Sequence, residues 1–158
     1  MNHTVRELIE MRKVVDGGRD VFDAPQPGET IGIKLMSPSD RSVKFGLSIY
    51  EGAHSSAISI EISEERKTTM QTRAFSSPLV RVDIDPGAAH TNPDGTVIHG
   101  SHVHIATERY GDRVACPIDS AEARSVIGDV RDVPSTFERF LSYCNVEYSF
   151  TVNWNLGV

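Results

Sequence analysis

The sequence predicts an α+β fold: a twisted antiparallel sheet of about six to eight strands, with an N-terminal and a C-terminal helix packed on it. Three observations predict this class. Apolar and polar residues alternate through most of the middle of the chain, the connections between these runs are short, and helical spacing occurs near both ends. Short connections favour antiparallel pairing, because a parallel crossover needs about a dozen residues or more.

The first helix is predicted over residues 4–11. Thr4 and Glu7 have capping-box spacing, in which the threonine side chain accepts a hydrogen bond from an early amide and the glutamate reaches back. Apolar residues at helical spacing follow, namely Val5, Leu8, Ile9 and Met11. Gly17 and Gly18 end the pattern.

Strands are predicted wherever the apolar period changes to two. The runs cover residues 30–35, 43–49, 58–62, 68–75, 79–84, 102–108 and 113–118, and the most regular alternation covers 146–154. In the 79–84 run the valines face one way, whereas Arg81 and Asp83 face the other. Residues 85–101 form a long polar connection that contains the turn Asn92-Pro93-Asp94-Gly95.

Helical patterns return after residue 118. Residues 120–127 fit a short helix. Ser135 and Glu138 have the spacing of a second capping box, followed by apolar residues at core-facing positions, namely Phe137, Phe140, Leu141 and Cys144. This segment is the predicted C-terminal helix.

Length and composition limit the possible functions. A chain of 158 residues corresponds to a single domain, 1–158. Its net charge of −6 disfavours a protein that coats nucleic acid non-specifically, although a local basic patch remains compatible. No apolar run approaches the ~20 residues of a membrane span, so no membrane partner is expected. Two cysteines are too few for a disulfide scaffold of the kind found in secreted proteins. A cytoplasmic location is therefore expected.

The most informative feature is a histidine cluster. Four of the six histidines fall within fifteen positions: His90, His99, His102 and His104. If residues 102–108 form a strand, His102 and His104 project from one face, and Glu108 continues that face. The Asn92–Gly95 turn is expected to fold the connection back, so that His90 approaches the pair.

This cluster allows three interpretations. The histidines can be surface residues without a function. They can chelate a divalent ion, with His90, His99 or Glu108 completing the coordination, although no dedicated metal motif is present. They can also perform general acid/base catalysis on a phosphodiester, because imidazole titrates near neutral pH. The sequence identifies no cofactor and assigns no metal ligand.

An upstream strand supplies candidate phosphate ligands. Thr69, Gln71 and Arg73 share one face of the 68–75 run, and the fork of Arg73 can hold two phosphate oxygens. The alternative is a solvated strand face on which Arg73 pairs with a carboxylate. Asp94 and Tyr110 complete the candidate substrate-binding set, and Asp94 also has a ready structural role in its turn.

The central motifs resemble a family of bacterial and prophage proteins, the DUF6978-like proteins. The resemblance lies in His90-Thr91-Asn92-Pro93-Asp94-Gly95, His102-Val103-His104-Ile105, Glu108, and Tyr110-Gly111-Asp112. The chain departs from the family pattern at Ala106 and Val114, where the family has aromatic residues. The resemblance implies a setting in mobile elements and their hosts but brings no activity with it.

The leading hypothesis from the sequence is a small, metal-independent nuclease or phosphodiesterase. His90, His102, His104 and Glu108 would be its catalytic residues, and RNA its expected substrate. One alternative is a non-enzymatic binder whose acidic surface contacts a basic protein partner. The other is a protein that binds a divalent metal through histidine and glutamate.

Overall fold

The computed structural model describes residues 2–52, 67–130 and 132–154. The elements in chain order are α1 (Val5–Glu10), β1 (Val14–Val15), β2 (Val21–Asp23), β3 (Thr30–Ser37), β4 (Asp40–Glu51), β5 (Thr68–Ala74), β6 (Ser77–Ile84), β7 (Ala89–Thr91), β8 (Val97–His99), β9 (His102–Ile105), β10 (Ala115–Pro117), α2 (Ala121–Ile127), α3 (Val133–Tyr143) and β11 (Thr151–Asn153). No helix of the described residues has the length and apolar character needed to cross a membrane.

Seven of these strands form one antiparallel sheet in the order β1-β3-β4-β5-β6-β9-β10. With helices near both ends of the chain, this architecture confirms the predicted α+β class. Two further pairs lie outside the sheet: β7 and β8 form a hairpin, and β11 runs parallel to β2. The hairpin lies within the stretch that the sequence pattern assigned to a long connection.

The two faces of the large sheet have opposite character. One face, here called the core face, packs against the helices and carries the buried residues Ile33, Leu35, Phe45, Leu47, Ile49, Met70, Val80, Val82 and Val103. The other, the polar face, carries in one cross-strand row Ser48, Gln71, Arg81 and His104, and in the next Tyr50, Thr69, Asp83 and His102. Side chains alternate along each strand, so burying the core face fixes which residues lie on the polar face.

Helix capping explains where two of the helices begin. The predicted capping box of α1 is confirmed: the Thr4 side chain accepts from the Glu7 amide, and the Glu7 carboxylate accepts from the Thr4 amide. The predicted capping box at Ser135 is wrong, because α3 begins earlier. Asp132 is its N-cap and accepts from the Ser135 amide.

The alternating run at residues 146–154 forms much less strand than its pattern predicts. Only β11 pairs with another strand, and Val146 makes an isolated bridge to Lys13. The aromatic residues of this run pack against one another and against α3 instead, with Tyr148 and Trp154 both in contact with Phe137. Aromatic packing thus takes the place of strand pairing. The strand predicted at 58–62 lies outside the described residues.

Lys13 is a fully buried cation beneath the sheet. Its ammonium donates to three carbonyl oxygens, those of Ile9 at 2.8 Å, Met11 at 2.8 Å and Cys144 at 2.7 Å. These carbonyls lie at or near the C-terminal ends of α1 and α3, where helices have no intrahelical donors of their own. One ammonium therefore joins the two helices. Burial lowers its pKa from 10.5 to about 8, even though the nearby Cys144 acts to raise it.

Replacing Lys13 with methionine should destabilise the protein by about 2–4 kcal/mol, because three buried carbonyls lose their donor. Urea unfolding measures this change. Lys67→Met is the matched control, because Lys67 is exposed and only distantly paired with Asp85, at 3.9 Å. Equal stabilities of the two variants would contradict the structural role of Lys13.

The lowered pKa of Lys13 also predicts a pH dependence. Between pH 8 and 10.5 the unfolded chain holds more protons at this position than the folded protein, so this group stabilises the folded state as the pH rises. The stability difference between the parent protein and Lys13→Met should grow by about 1 kcal/mol from pH 7.5 to pH 9. A difference independent of pH would contradict the shift.

Candidate metal centre

The two histidines of β9 lie on the polar face, as the alternation predicts. His102 pairs with Asp83 across the sheet, and His104 pairs with Arg81. Their intervening neighbour Val103 is fully buried on the core face. Both histidines are themselves buried, with exposures of 4% and 1%, so the interpretation that they occupy a solvated strand face is wrong.

The β7–β8 hairpin brings His90 against this pair. The His90 ring stacks on His102 with centroids 5.6 Å apart and meets His104 edge to face at 4.7 Å. The centroids of His102 and His104 are 5.0 Å apart. Each ring offers one nitrogen to a group of three that lie within 4.8 Å of one another. The predicted approach of His90 to the pair is therefore found in the structure.

Asn92 fixes the hairpin on the edge of the sheet. Its side-chain amide donates to the carbonyl of Ala115 at 2.9 Å, and its side-chain oxygen accepts from the Ala115 amide at 2.8 Å. Ala115 lies on the edge strand β10, so Asn92 makes with it the two hydrogen bonds that a further strand would otherwise make there. Gly95, with φ of +91°, closes the turn that follows by donating to the Asn92 carbonyl.

Each of the three rings has one nitrogen committed to a backbone carbonyl. Nδ1 of His102 lies 2.9 Å from the Gly100 oxygen, Nδ1 of His104 lies 2.7 Å from the Asp112 oxygen, and Nε2 of His90 lies 2.8 Å from the Arg113 oxygen. A carbonyl can only accept, so these nitrogens carry the protons. In the neutral rings the lone pairs are therefore on Nε2 of His102, Nε2 of His104 and Nδ1 of His90.

Asp83 adds a carboxylate beside two of these lone pairs. Its Oδ2 lies 3.3 Å from Nε2 of His102 and 3.5 Å from Nε2 of His104. Its Oδ1 accepts a hydrogen bond from the Thr69 hydroxyl at 2.8 Å. Burial by itself raises the pKa of Asp83, but the positive charge of Arg81 and the hydrogen bonds from Thr69 and Arg81 outweigh it and hold this pKa well below its ordinary value. Asp83 is thus an anion at neutral pH.

Arg81 neutralises this carboxylate. Its Nε donates to Asp83 Oδ2 at 2.9 Å, and its Nη2 donates to Nε2 of His104 at 3.0 Å. Its Nη1 lies 3.9 Å from the carboxylate of Asp112. The guanidinium is about one-third exposed, whereas the rings of His102 and His104 are buried.

The distances from Asp83 to the two rings suit a tetrahedral metal ion, whereas the distances among the histidine nitrogens have to shorten. Bonds of about 2.0–2.1 Å place the ligand atoms of a tetrahedral site about 3.3–3.4 Å apart, close to the separations of Asp83 from the two Nε2 atoms. The histidine nitrogens lie within 4.8 Å of one another, so a pair at that limit has to close by about 1.4 Å to reach the tetrahedral separation. Carbonyl acceptors on the far side of the rings are typical of metal-bound histidine.

The other predicted site residues are placed elsewhere. Glu108 lies beyond the end of β9, and its carboxylate accepts from the Val5 amide at the start of α1. Asp94 accepts from the Thr96 amide and serves its own turn. Tyr110 lies in a turn, where the guanidinium groups of Arg109 and Arg113 stack on its ring.

The two upstream candidates share the predicted face of β5 but are not both near the histidines. Gln71 is the cross-strand neighbour of Arg81. The Arg73 guanidinium lies over Gly46 of β4, where a Cβ atom on that glycine would meet it at 2.7 Å. The arginine beside the histidines is Arg81. Neither Arg81 nor Asp83 was predicted as a site residue. The alternation along β6 nevertheless places both on the face opposite the valines, which is the face that carries the histidines.

A family model described as a family of unknown function, DUF6978, matches residues 1–146. The match includes every residue of the histidine cluster. No curated protein and no solved structure matches the chain.

Replacing Asn92 with alanine should release the hairpin from β10, because both hydrogen bonds to Ala115 are lost. Hydrogen exchange at the Ala115 amide should accelerate at least tenfold, as about 1.4 kcal/mol of protection is removed. Asp94→Ala removes one bond from the same turn and should leave this amide protected. Unchanged exchange in Asn92→Ala would show that the hairpin is held by other contacts.

Proposed function

We propose that this chain, which belongs to the DUF6978 family of unknown function, binds a divalent transition-metal ion and uses it to hydrolyse phosphate esters. The ligands are Nδ1 of His90, Nε2 of His102 and Nε2 of His104. The observation that carries the proposal is the arrangement of the three rings: each binds a backbone carbonyl through one nitrogen, and each offers one nitrogen to a group of three within 4.8 Å.

The donor set favours zinc and similar ions. Neutral imidazole binds zinc, copper, iron and nickel well, whereas magnesium and calcium prefer oxygen ligands. Three histidine ligands with one further position are typical of catalytic zinc sites, in which that position takes water or substrate. Asp83 has two roles open to it: it can occupy the fourth position, or it can hold a water there through Oδ2.

The surroundings of the three rings support hydrolysis of an anionic ester. An ion of this class supplies a hydroxide nucleophile near neutral pH. Metal ligation by His104 requires Arg81 to release Nε2 of that ring, since both use the same lone pair. The Nε bond to Asp83 keeps the guanidinium in place. Its freed N–H groups can then bind a phosphate oxygen and the negative charge that develops in the transition state.

A metal-independent acid/base phosphodiesterase is the second candidate function. The proximity of His90, His102 and His104 beside a cationic arginine favours it, because one ring can take a proton while another gives one. The metal-dependent function has the stronger support. Each ring has one nitrogen that no backbone carbonyl occupies, and nitrogens of the three rings within 4.8 Å of one another are close enough to bind one ion.

Metal binding is testable with Zn²⁺ and Co²⁺. The parent protein should bind one ion per chain, and His104→Ala should weaken binding at least 100-fold because one of three nitrogen ligands is lost. Isothermal titration gives the stoichiometry, and the visible absorption of Co²⁺ reports a four-coordinate site. Asp83→Asn should weaken binding about 10–100-fold.

His99→Ala is the matched control, because His99 is an exposed histidine on the same hairpin and outside the cluster. Its affinity should equal that of the parent. Circular dichroism verifies that each variant is folded, and His90→Ala removes a ligand that is only half-buried and so less important for folding. Equal losses in His99→Ala and His90→Ala, or no binding by the parent, would overturn the metal site.

Hydrolysis distinguishes the two candidate functions. The zinc-loaded protein should cleave an activated phosphodiester such as bis(p-nitrophenyl) phosphate, EDTA should abolish the activity, and added Zn²⁺ should restore it. Arg81→Gln should lower kcat/KM by about 10–100-fold, because the developing charge loses its donor. Activity that persists in EDTA and disappears in His104→Ala would favour the acid/base candidate.

A further inference from the structure

A second cluster of polar groups lies on the polar face, near the other end of β5. A cavity of about 360 Å³ is lined there by the three cations Lys34, Lys44 and Arg73, with Asp16 and the ring of Phe75 beside them. Within the part of the chain that the structure describes, none of these cations forms an ion pair. In a protein with a net charge of −6, this concentration of unpaired positive charge favours an anionic ligand.

The register of the sheet builds this cavity. Lys34, Gly46 and Arg73 are cross-strand neighbours on β3, β4 and β5, and Lys44 lies two residues before Gly46 on the same face. Because Gly46 has no side chain, the Arg73 guanidinium lies directly on the sheet. The fork of Arg73 is thus held at a defined place, where it can bind two oxygens of one phosphate.

Phe75 is unusual in both conformation and exposure. It occupies the turn between β5 and β6 with φ of +53°, a region that asparagine and glycine favour and that bulky residues avoid. The residue is 58% exposed, so burial in the core does not offset the strain. Its amide donates to the Lys44 carbonyl, which fixes the backbone of Phe75 beside the cavity that this residue lines. Strain kept at an exposed aromatic residue is characteristic of a binding position.

We infer that this cavity is a nucleotide-binding site. Arg73, Lys34 and Lys44 bind the phosphate, and the exposed face of Phe75 stacks on the base. Stacking on an aromatic ring accepts any base, and cations beside it are the usual companions of such a platform. A volume of about 360 Å³ falls within the range of small-ligand sites, at its lower end.

The site is separate from the candidate metal centre, and the inference holds whether or not a metal binds. The two sites lie on the same face of the sheet. Gln71, two residues before Arg73 on β5, is the cross-strand neighbour of Arg81, and Arg81 is the cross-strand neighbour of His104. Two strand spacings and two residues along a strand separate Arg73 from His104, which is about 12 Å between backbones. A nucleotide bound here comes from one of two sources: free in solution, or part of a single strand that continues toward the histidines.

The binding test uses the full chain in EDTA, so that its result does not depend on the metal centre. Isothermal titration compares inorganic phosphate, adenosine, AMP and a single-stranded trinucleotide. AMP should bind at least tenfold more tightly than either phosphate or adenosine, because only AMP engages both the cations and Phe75. Tighter binding of the trinucleotide identifies a strand as the source, and equal or weaker binding identifies a free nucleotide.

Variants test whether AMP binding depends on this cavity rather than on the stability of the fold or on the total charge. Arg73→Gln should weaken AMP binding at least tenfold, whereas Lys67→Gln, a loss of the same charge elsewhere, should not. Phe75→Asn should raise the melting temperature, because asparagine tolerates the positive φ, and should still weaken AMP binding at least fivefold. His90→Ala should leave it unchanged.

Two results would overturn the inference. One is AMP affinity no greater than that of inorganic phosphate. The other is equal AMP binding by the parent, Arg73→Gln and Phe75→Asn.

Discussion

The register between β6 and β9 is the constraint on which the candidate metal centre depends. It sets Asp83 beside His102 and Arg81 beside His104. The same register places Val82 against Val103 on the core face, where both are fully buried. A slip of one residue would bury charged groups among the apolar ones and expose the valines. The hydrophobic core therefore holds the polar groups in position without contacting them.

Different parts of the chain orient the three rings. Two histidines project from a central strand, whose backbone is fixed by neighbours on both sides. The third lies on a hairpin that Asn92 attaches to the edge strand. The carbonyls that accept hydrogen bonds from the rings belong to Gly100, Asp112 and Arg113, in segments that flank the strands. Two of the rings thus belong to the large sheet itself, and the third belongs to a hairpin attached at its edge.

The polar face combines two chemistries on one surface. Near β9 and β10 it carries imidazole rings and a carboxylate, which suit a cation, and near β3 and β4 it carries two lysines and an arginine, which suit an anion. On an acidic protein, such a local basic area attracts a phosphate ligand while the remaining surface repels non-specific polyanions. The composition alone disfavoured a general nucleic-acid coat, and the structure agrees with a confined basic site.

Much of the fold follows from the sequence by itself, because helix caps and strand alternation are local properties. The box at Thr4, the two faces of β5 and β6, and the pair at His102 and His104 are all predictable from spacing of a few residues. The resemblance to the family was likewise predicted from the sequence, and the family model matches residues 1–146. Local pattern failed at residues 146–154, where aromatic residues such as Tyr148 pack against other rings instead of pairing as a strand, and at Ser135, where Asp132 is the N-cap instead.

Only the tertiary structure decided which polar residues meet. Arg73 and Arg81 look equivalent in sequence, each on the polar face of its strand, but cross-strand pairing directs one to Gly46 and the other to His104. Asp83 lies in the site for the same reason, since it is the cross-strand neighbour of His102. Glu108 lies outside the site because β9 ends at Ile105. Strand order and register join residues that are distant along the chain, and no local periodicity contains that information.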